Sequence, residues 1–356
     1  MQAVILCGGR GERLMPMTAC TPAALLRILG KSVVAYTLDQ LKKAGFKEAT
    51  LALGYLGGQV IEEFESCEYK GMKLYFTSAE ETGTAPAVAY AARNGEDILV
   101  CEANCVFDFD LNGIMDYHKA KKSEATFVTR QEPQTNKHIC FAIDKNNTIT
   151  SSAKYPSAEN TSAVHAFTGV YVLSSSALEN YDFNSFTDVI EDIVPQMISD
   201  GCKIYTYGTV DFWHRITDAQ GFLDCQKSIL EGKTGLSFSA KQNDGGIYTD
   251  TLSNFSGVSI IPPVYIGRNV VIESGSVIEP GSVIDDGAYI EKRTRICGAY
   301  IGRGAYISSR CELMSCVICP GARLMRSACC GENSVVGERS CIGEGARILD
   351  GVKIWA

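Results

Sequence analysis

The 356-residue sequence contains no apolar run approaching the roughly eighteen residues that a membrane-spanning helix needs. Its start, Met1-Gln2-Ala3-Val4-Ile5-Leu6-Cys7-Gly8-Gly9, carries no basic leader and too short an apolar run for a secretory signal. Basic charge is in the minority, 33 Lys and Arg against 41 Asp and Glu for a net charge of −8, so a non-specific grip on nucleic acid or on an anionic membrane has no compositional support. Histidine is scarce: four residues, at 118, 138, 165 and 214. Cysteine is not scarce. Fifteen cysteines in a chain without a secretory start predict a cytoplasmic protein whose reduced thiols serve mostly as small core residues.

The length suggests two domains, and a composition of 46% hydrophobic and 21% charged residues is that of an ordinary globular chain. Up to about residue 232, short apolar runs alternate with helix-like segments. They begin with Ala3–Leu6 and the helically spaced Val33–Lys43, and continue through runs near 49–53, 73–76, 98–100, 125–128, 169–173 and 203–207. This alternation predicts a Rossmann-like α/β domain over residues 1–232, built on a mostly parallel sheet. Residues 233–252 turn polar and read as a linker.

From 253 to 356 the period changes. Ile266, Ile272, Ile278, Ile284, Ile290 and Ile296 stand six apart, and the series resumes at Ile301 and again at Ile318, each time after a step of five. Four residues after most of them stands a small or β-branched residue, such as Ser276, Ser282, Ala288 or Thr294. This is a hexapeptide repeat, predicting a parallel β-helix with large residues on the axis, small ones at the corners and glycine in the tight turns. Cys311-x4-Cys316-x2-Cys319 matches one iron–sulfur ligand spacing. In the hexad frame, however, Cys311 and Cys330 take inward positions while Cys316 and Cys319 fall at other phases, which favours core or turn residues over a cluster.

Leu6-Cys7-Gly8-Gly9-Arg10-Gly11-Glu12-Arg13-Leu14 follows the first strand, where a glycine-rich turn lets backbone N–H groups approach phosphates. It fits neither a P-loop nor the Rossmann glycine spacing, so a phosphate cradle and a plain tight turn both remain open.

With Met15-Pro16-Met17-Thr18 and Thr21-Pro22 added, the segment resembles the nucleotidyltransferases that make nucleotide sugars, whose pattern is G-G-x-G-T-R-L-x-P-L-T followed by P-K-P. The resemblance continues through Gly83-Thr84-Ala85, Leu99 to Val106, Phe167-Thr168-Gly169-Val170-Tyr171-Val172 and Trp213-His214-Arg215-Ile216-Thr217. Ser228-Ile229-Leu230-Glu231-Gly232 and the ending Gly351-Val352-Lys353-Ile354-Trp355 look most like bacterial mannose-1-phosphate guanylyltransferases, including those fused to a phosphomannomutase. The repeat in turn resembles the left-handed β-helix of such enzymes and of acyltransferases. Its hand comes from that resemblance. Acyltransferases of this shape use a histidine base, and none of the four histidines lies in the repeat, so a packing or oligomerisation element is expected there.

In the resembled family a sugar 1-phosphate oxygen attacks the α-phosphorus of a nucleoside triphosphate and pyrophosphate leaves, with two aspartates holding Mg²⁺ against the gathering charge. The resemblance implies nucleotide contacts at Leu6, Gly8, Gly9, Gly11, Gly83 and Thr84, and sugar-phosphate contacts at Lys154 and Gly169. Arg13 is retained. The lysine of P-K-P is replaced by Ala23, the loop threonine by Glu12, and the two metal aspartates by Asn104 and Arg215. Each lost preorganised charge at such a site costs about a hundred- to a thousandfold in rate. Glu102 is a weak candidate metal ligand, and Mg²⁺ is expected only if the enzyme is active. The expectation is a degenerate homologue that binds a nucleoside triphosphate or nucleotide sugar through Arg13, Lys154 and Arg215, with weak or no turnover. Its expected partners are copies of itself or a catalytic relative, without nucleic acid or membrane; the alternatives are an active guanylyltransferase and, less favoured, an acyltransferase.

Overall fold

The computed structural model describes residues 2–78, 83–91, 95–132, 138–154, 164–179, 181, 187–238, 240–243, 245–249 and 255–355. The chain divides into two compact units, and the division is not a single cut: Met1–Arg10 and Val34–Arg215 form one, Gly11–Val33 and Ile216–Ala356 the other.

The first unit is built on a ten-stranded mixed sheet. Strand Gln2–Cys7 lies at its centre and pairs in parallel with Glu48–Leu53 on one side and Ile98–Glu102 on the other. Met72–Ser78 extends the parallel part beyond Glu48–Leu53. These strands read as nearly unbroken apolar runs because both faces are covered: Ala3, Val4, Ile5, Leu99, Val100 and Cys101 have no exposed surface. Val164–Leu173 runs antiparallel to Ile98–Glu102, with Val170 opposite Cys101, and carries Ala125–Glu132 and a hairpin of Ile139–Ile143 and Ile149–Lys154. Phe127, Phe141, Phe167 and Tyr171 pack ring against ring beneath it, with centroids 5.2–5.9 Å apart. Helix Leu111–Lys121 starts where the Asp110 carboxylate accepts the Gly113 N–H at 3.1 Å, and it buries Leu111, Ile114, Met115 and His118 at helical spacing.

The second unit is a parallel β-helix with three sheets of eight, six and five short strands. The inward residues stack coil upon coil, Ile266 on Ile284, Ile301, Ile318, Val336 and Ile354. The two five-residue steps shorten two coils by one residue without breaking this stack. Small corner residues do polar work as well as fit: Ser276 Oγ donates to the Glu291 carbonyl at 3.1 Å and Thr294 Oγ1 to that of Ser308 at 3.0 Å. The expectation that glycine serves the turns needs widening, because Asn269, Arg293, Arg310, Asn333 and Arg339 also take the left-handed conformation. All fifteen cysteines are free, and Cys311, Cys316 and Cys330 lie in the apolar core of the β-helix. The stretch read as linker is partly strand: Lys241–Gln242 pairs antiparallel with Ile247–Thr249, which pairs in parallel with Val264–Ile266, so these two strands open the eight-stranded face.

Over its middle strands that face is covered. Outward-pointing Val283, Tyr300, Val317 and Val335 are at most 5% exposed, whereas on the other faces Val271, Arg295, Glu312 and Arg323 reach solvent. Helix Ala219–Leu230 supplies part of the cover, setting Phe222 edge-on to Tyr300 at 5.0 Å between centroids. Segment Gly11–Val33 lies against it as well, with Gly30 on Tyr265 and Arg27 beside Asp285.

Candidate functional site

Ligand sites in open α/β sheets form beyond the carboxyl ends of the parallel strands, and in the first unit this is where the expected residues gather. Leu6 and Glu102 face each other at the ends of the two central strands, and the Ala103 N–H closes the turn onto the Leu6 carbonyl at 3.0 Å. The chain leaves the first strand through Gly8, whose carbonyl accepts the Tyr55 N–H at 3.1 Å. A Cβ at Gly54 would fall 2.7 Å from the Gly8 carbonyl oxygen, so this pair of turns closes only on glycine. Sequence reading missed Gly54, although a glycine directly after the run 49–53 was a usable signal. A Cβ at Gly9 would meet nothing within 4 Å, which leaves its backbone approachable. The Arg10 guanidinium lies over the Tyr55 ring at 5.6 Å.

Past Ala103 the chain turns through Asn104, whose Oδ1 accepts the Cys105 thiol at 3.5 Å. Strand Cys105–Phe107 then pairs antiparallel with Trp213–Arg215, placing Arg215 opposite Cys105. This pairing carries the Arg215 guanidinium onto Glu102, where Nη2 forms an ion pair with Oε2. With side chains only 13% and 21% exposed, the two charges interact through a medium less screening than water. The guanidinium also lies 5.9 Å over the Phe167 ring. Trp213 Nε1 donates to the Thr168 carbonyl at 2.7 Å and Thr168 Oγ1 to that of Val128 at 2.9 Å, anchoring both sides of the neighbouring turn. Gly169 sits in that turn at φ +87°, where a Cβ would lie 2.7 Å from Cys105 Sγ and 3.4 Å from the Glu102 carboxyl carbon. Burial raises the Cys105 thiol to about 12 despite the opposing pull of Arg215, so at neutral pH it is no nucleophile.

Gly83 and Thr84 take structural duties. A Cβ on Gly83, at φ +92°, would overlap the Thr187 carbonyl. The Thr84 hydroxyl donates to Asp188 Oδ2 at 2.8 Å and accepts the Val189 N–H at 2.9 Å, tying helix Thr84–Ala91 to the π-helical turn Val189–Ile193. Lys154 ends its strand opposite Ile139; its side chain, with Tyr155 and Pro156, lies outside the described residues.

The second half of the glycine segment belongs to the other unit. Gly11, at φ +62°, opens the short helix Glu12–Leu14, and its carbonyl accepts the Leu14 N–H at 2.8 Å and Thr18 Oγ1 at 2.9 Å. Ala23 closes on the same turn, with its Cβ 3.5 Å from where a Cβ on Gly11 would be. Arg13 is exposed, and its carbonyl accepts Lys353 Nζ at 3.1 Å. The expected residues therefore fall into two sets: Leu6, Gly8, Gly9, Gly83, Thr84, Glu102, Asn104, Lys154, Gly169 and Arg215 in one unit, Gly11, Arg13 and Ala23 in the other.

The donors around Glu102 do not fit a divalent ion. Asn104 offers a neutral amide, the one carboxylate is neutralised by a guanidinium, and no three His, Cys, Asp or Glu side chains among the described residues converge as a metal site.

A family model described as nucleotidyl transferase matches residues 2–232. The chain belongs to the nucleotidyl transferase family. It is 27% identical over 228 residues to the mannose-1-phosphate guanylyltransferase catalytic subunit beta of Drosophila melanogaster, an alignment covering 62% of this chain and 61% of that protein. It is 22% identical over 281 residues to the mannose-1-phosphate guanylyltransferase of Mycobacterium tuberculosis, covering 78% and 77%, and 22% identical over 295 residues to the UTP–glucose-1-phosphate uridylyltransferase of Synechocystis, covering 77% and 76%. The chain thus spans about three-fifths of the Drosophila relative's length. As a nucleotidyl transferase by family, it carries its glycine turn and its Glu102–Arg215 pair at the strand ends where such a fold seats ligands.

Proposed function

We propose that this member of the family binds a nucleotide or nucleotide sugar and transfers nucleotidyl groups weakly or not at all, acting as a regulatory homologue. One observation carries the reading: Arg215 occupies Glu102 with its own positive charge. Phosphoryl transfer needs cationic charge that follows the substrate's phosphates, and a guanidinium paired to a protein carboxylate has part of that charge already answered. Removal of one preorganised charge costs about a hundred- to a thousandfold in rate, and Ala23 and Asn104 are uncharged as well. An anionic ligand would compete with Glu102 for Arg215, so binding needs no Mg²⁺. The net charge of −8 and the free thiols support a cytoplasmic protein away from nucleic acid and membranes. No described helix is long and apolar enough to cross a membrane. The β-helix faces that reach solvent support assembly with copies of itself or with a catalytic relative.

The names of the relatives support a second reading, an active mannose-1-phosphate guanylyltransferase that uses Glu102 and Mg²⁺. Pyrophosphate release from GTP and mannose 1-phosphate with Mg²⁺, run beside the Mycobacterium tuberculosis relative, separates the two. A rate at least about a hundredfold below that relative is expected; a rate within about tenfold of it would establish the second reading. Calorimetry with GDP-mannose in EDTA tests the binding half, and no heat at millimolar ligand would remove it.

A further inference from the structure

Segment Gly11–Val33 lies lengthwise along the eight-stranded face of the β-helix, and four of its contacts mark its course. Gly30 packs against the Tyr265 hydroxyl so closely that no Cβ would fit. Arg27 meets Asp285, which follows strand Val283–Ile284, with Nε 3.4 Å from Oδ2. Thr21 Oγ1 lies 3.5 Å from Glu338 Oε2, just after strand Val335–Val336. Lys353, on the last strand of the face, donates to the Arg13 carbonyl. Residue numbers fall along the segment as they rise along the β-helix. With strands about 4.8 Å apart, the six from Val264–Ile266 to Lys353–Ile354 carry this strap over roughly 24 Å.

One contact differs in kind from the rest. Asp285 stands on an outer face of the β-helix, yet its side chain has no exposed surface. It accepts the Tyr300 hydroxyl at 3.1 Å and the Asp286 N–H at 2.8 Å, and its charge is answered from the strap by Arg27. Arg27 Nε has no hydrogen-bond partner among the described residues and faces this carboxylate, while Nη2 donates to the Gly30 carbonyl and lies 3.9 Å from Asp286 Oδ2. A buried carboxylate left without its cation is costly, so the β-helix has a stake in where Arg27 sits.

We propose that the β-helix is the template that fixes the second half of the glycine segment, with Arg27 and Asp285 as positioning residues that hold Gly11, Arg13 and Ala23 in their ligand-binding conformation. The ligand part of this inference rests on the nucleotide-binding reading above; the template part does not. The strap's own turn at Gly11, closed by Thr18 and Ala23, is tethered to the β-helix at Arg13 by Lys353 and at Thr21 by Glu338, and the Arg27 pair anchors the chain that leads out of it. Loss of the pair frees one end and lets the turn open.

Hydrogen exchange of the ligand-free protein tests the template directly. Asp285→Asn and Arg27→Met are each expected to raise amide exchange in residues 11–33 by about tenfold or more, with the inner coils between 300 and 336 unchanged and Arg27→Lys restoring part of the protection. Unchanged exchange in residues 11–33, or equal loosening of strap and coils, would overturn the positioning role. Calorimetry with GDP-mannose in EDTA is then expected to show about tenfold weaker binding for Asp285→Asn than for the unaltered protein. Looser exchange with undiminished affinity would overturn the link to the ligand. Should the unaltered protein give no heat, the nucleotide reading falls, while the exchange result still decides the template.

Discussion

Replacement of Arg215 by methionine removes the charge that answers Glu102 and keeps most of the stem that packs near Phe167. The magnitude follows from burial. Exposed ion pairs contribute about 0–1 kcal/mol and fully buried ones lose about 3–5 kcal/mol when one partner is removed. At 13% and 21% exposure the Glu102–Arg215 pair falls between these, and a loss of about 2 kcal/mol is expected. For a unit of this size that is a fall of about 4–8 °C in Tm. Thermal and denaturant unfolding of Arg215→Met, Glu102→Gln and the double variant closes a double-mutant cycle. The double variant should recover part of the loss, because neither charge is then stranded, giving a coupling of about 1–2 kcal/mol. Coupling below about 0.3 kcal/mol, the ordinary error of additivity, would refute the claim that these two side chains neutralise each other.

Further outcomes follow from single residues. Burial holds the His118 imidazole below the usual histidine range, outweighing Asp97, which lies 4.0 Å from Nε2, while Lys119 adds to the shift. The unfolded chain therefore takes its proton first, so stability is lost as pH falls below the unfolded histidine value of about 6.5; NMR titration should give His118 a low midpoint, and His118→Asn should flatten the acid side of the stability curve. Gly169→Ala puts a methyl group against Cys105 Sγ at a left-handed φ and should cost about 1–3 kcal/mol, read by denaturant unfolding. Iodoacetamide at pH 8 should label exposed Cys20, Cys67 and Cys341 and spare buried Cys7 and Cys105, whose thiols burial raises to about 12, as peptide mass spectrometry would show.

What the sequence made legible was whatever carries a local period. Ala3–Leu6 and Ile98–Val100 announce buried parallel strands, and the hexad from Ile266 onward announces the β-helix coil by coil, including its two short steps. What it concealed depends on pairs far apart in the chain. Arg27 and Asp285 are 258 positions apart by their numbers, and nothing near either residue marks the other. The boundary between units at Gly11 is hidden for the same reason, since the strap's fixed points are single side chains. At the site, the replacement of charged residues at Ala23, Asn104 and Arg215 was readable by resemblance, but the ion pair was not. It exists because strand Trp213–Arg215 pairs with Cys105–Phe107, a two-strand ladder too short to show a period. Thr84 shows the opposite case, a residue singled out for a ligand whose hydroxyl holds Asp188 and Val189.

On the proposed reading, the Arg215 guanidinium neutralises Glu102 where a divalent ion would otherwise do so. Electron paramagnetic resonance of Mn²⁺ titrated into the nucleotide-free protein decides this. With the unaltered protein Mn²⁺ is expected to keep its free aqueous spectrum, while Arg215→Asp combined with Asn104→Asp gives a protein-bound signal. A protein-bound signal in the unaltered chain, abolished by Glu102→Gln, would show instead that Glu102 is a metal ligand.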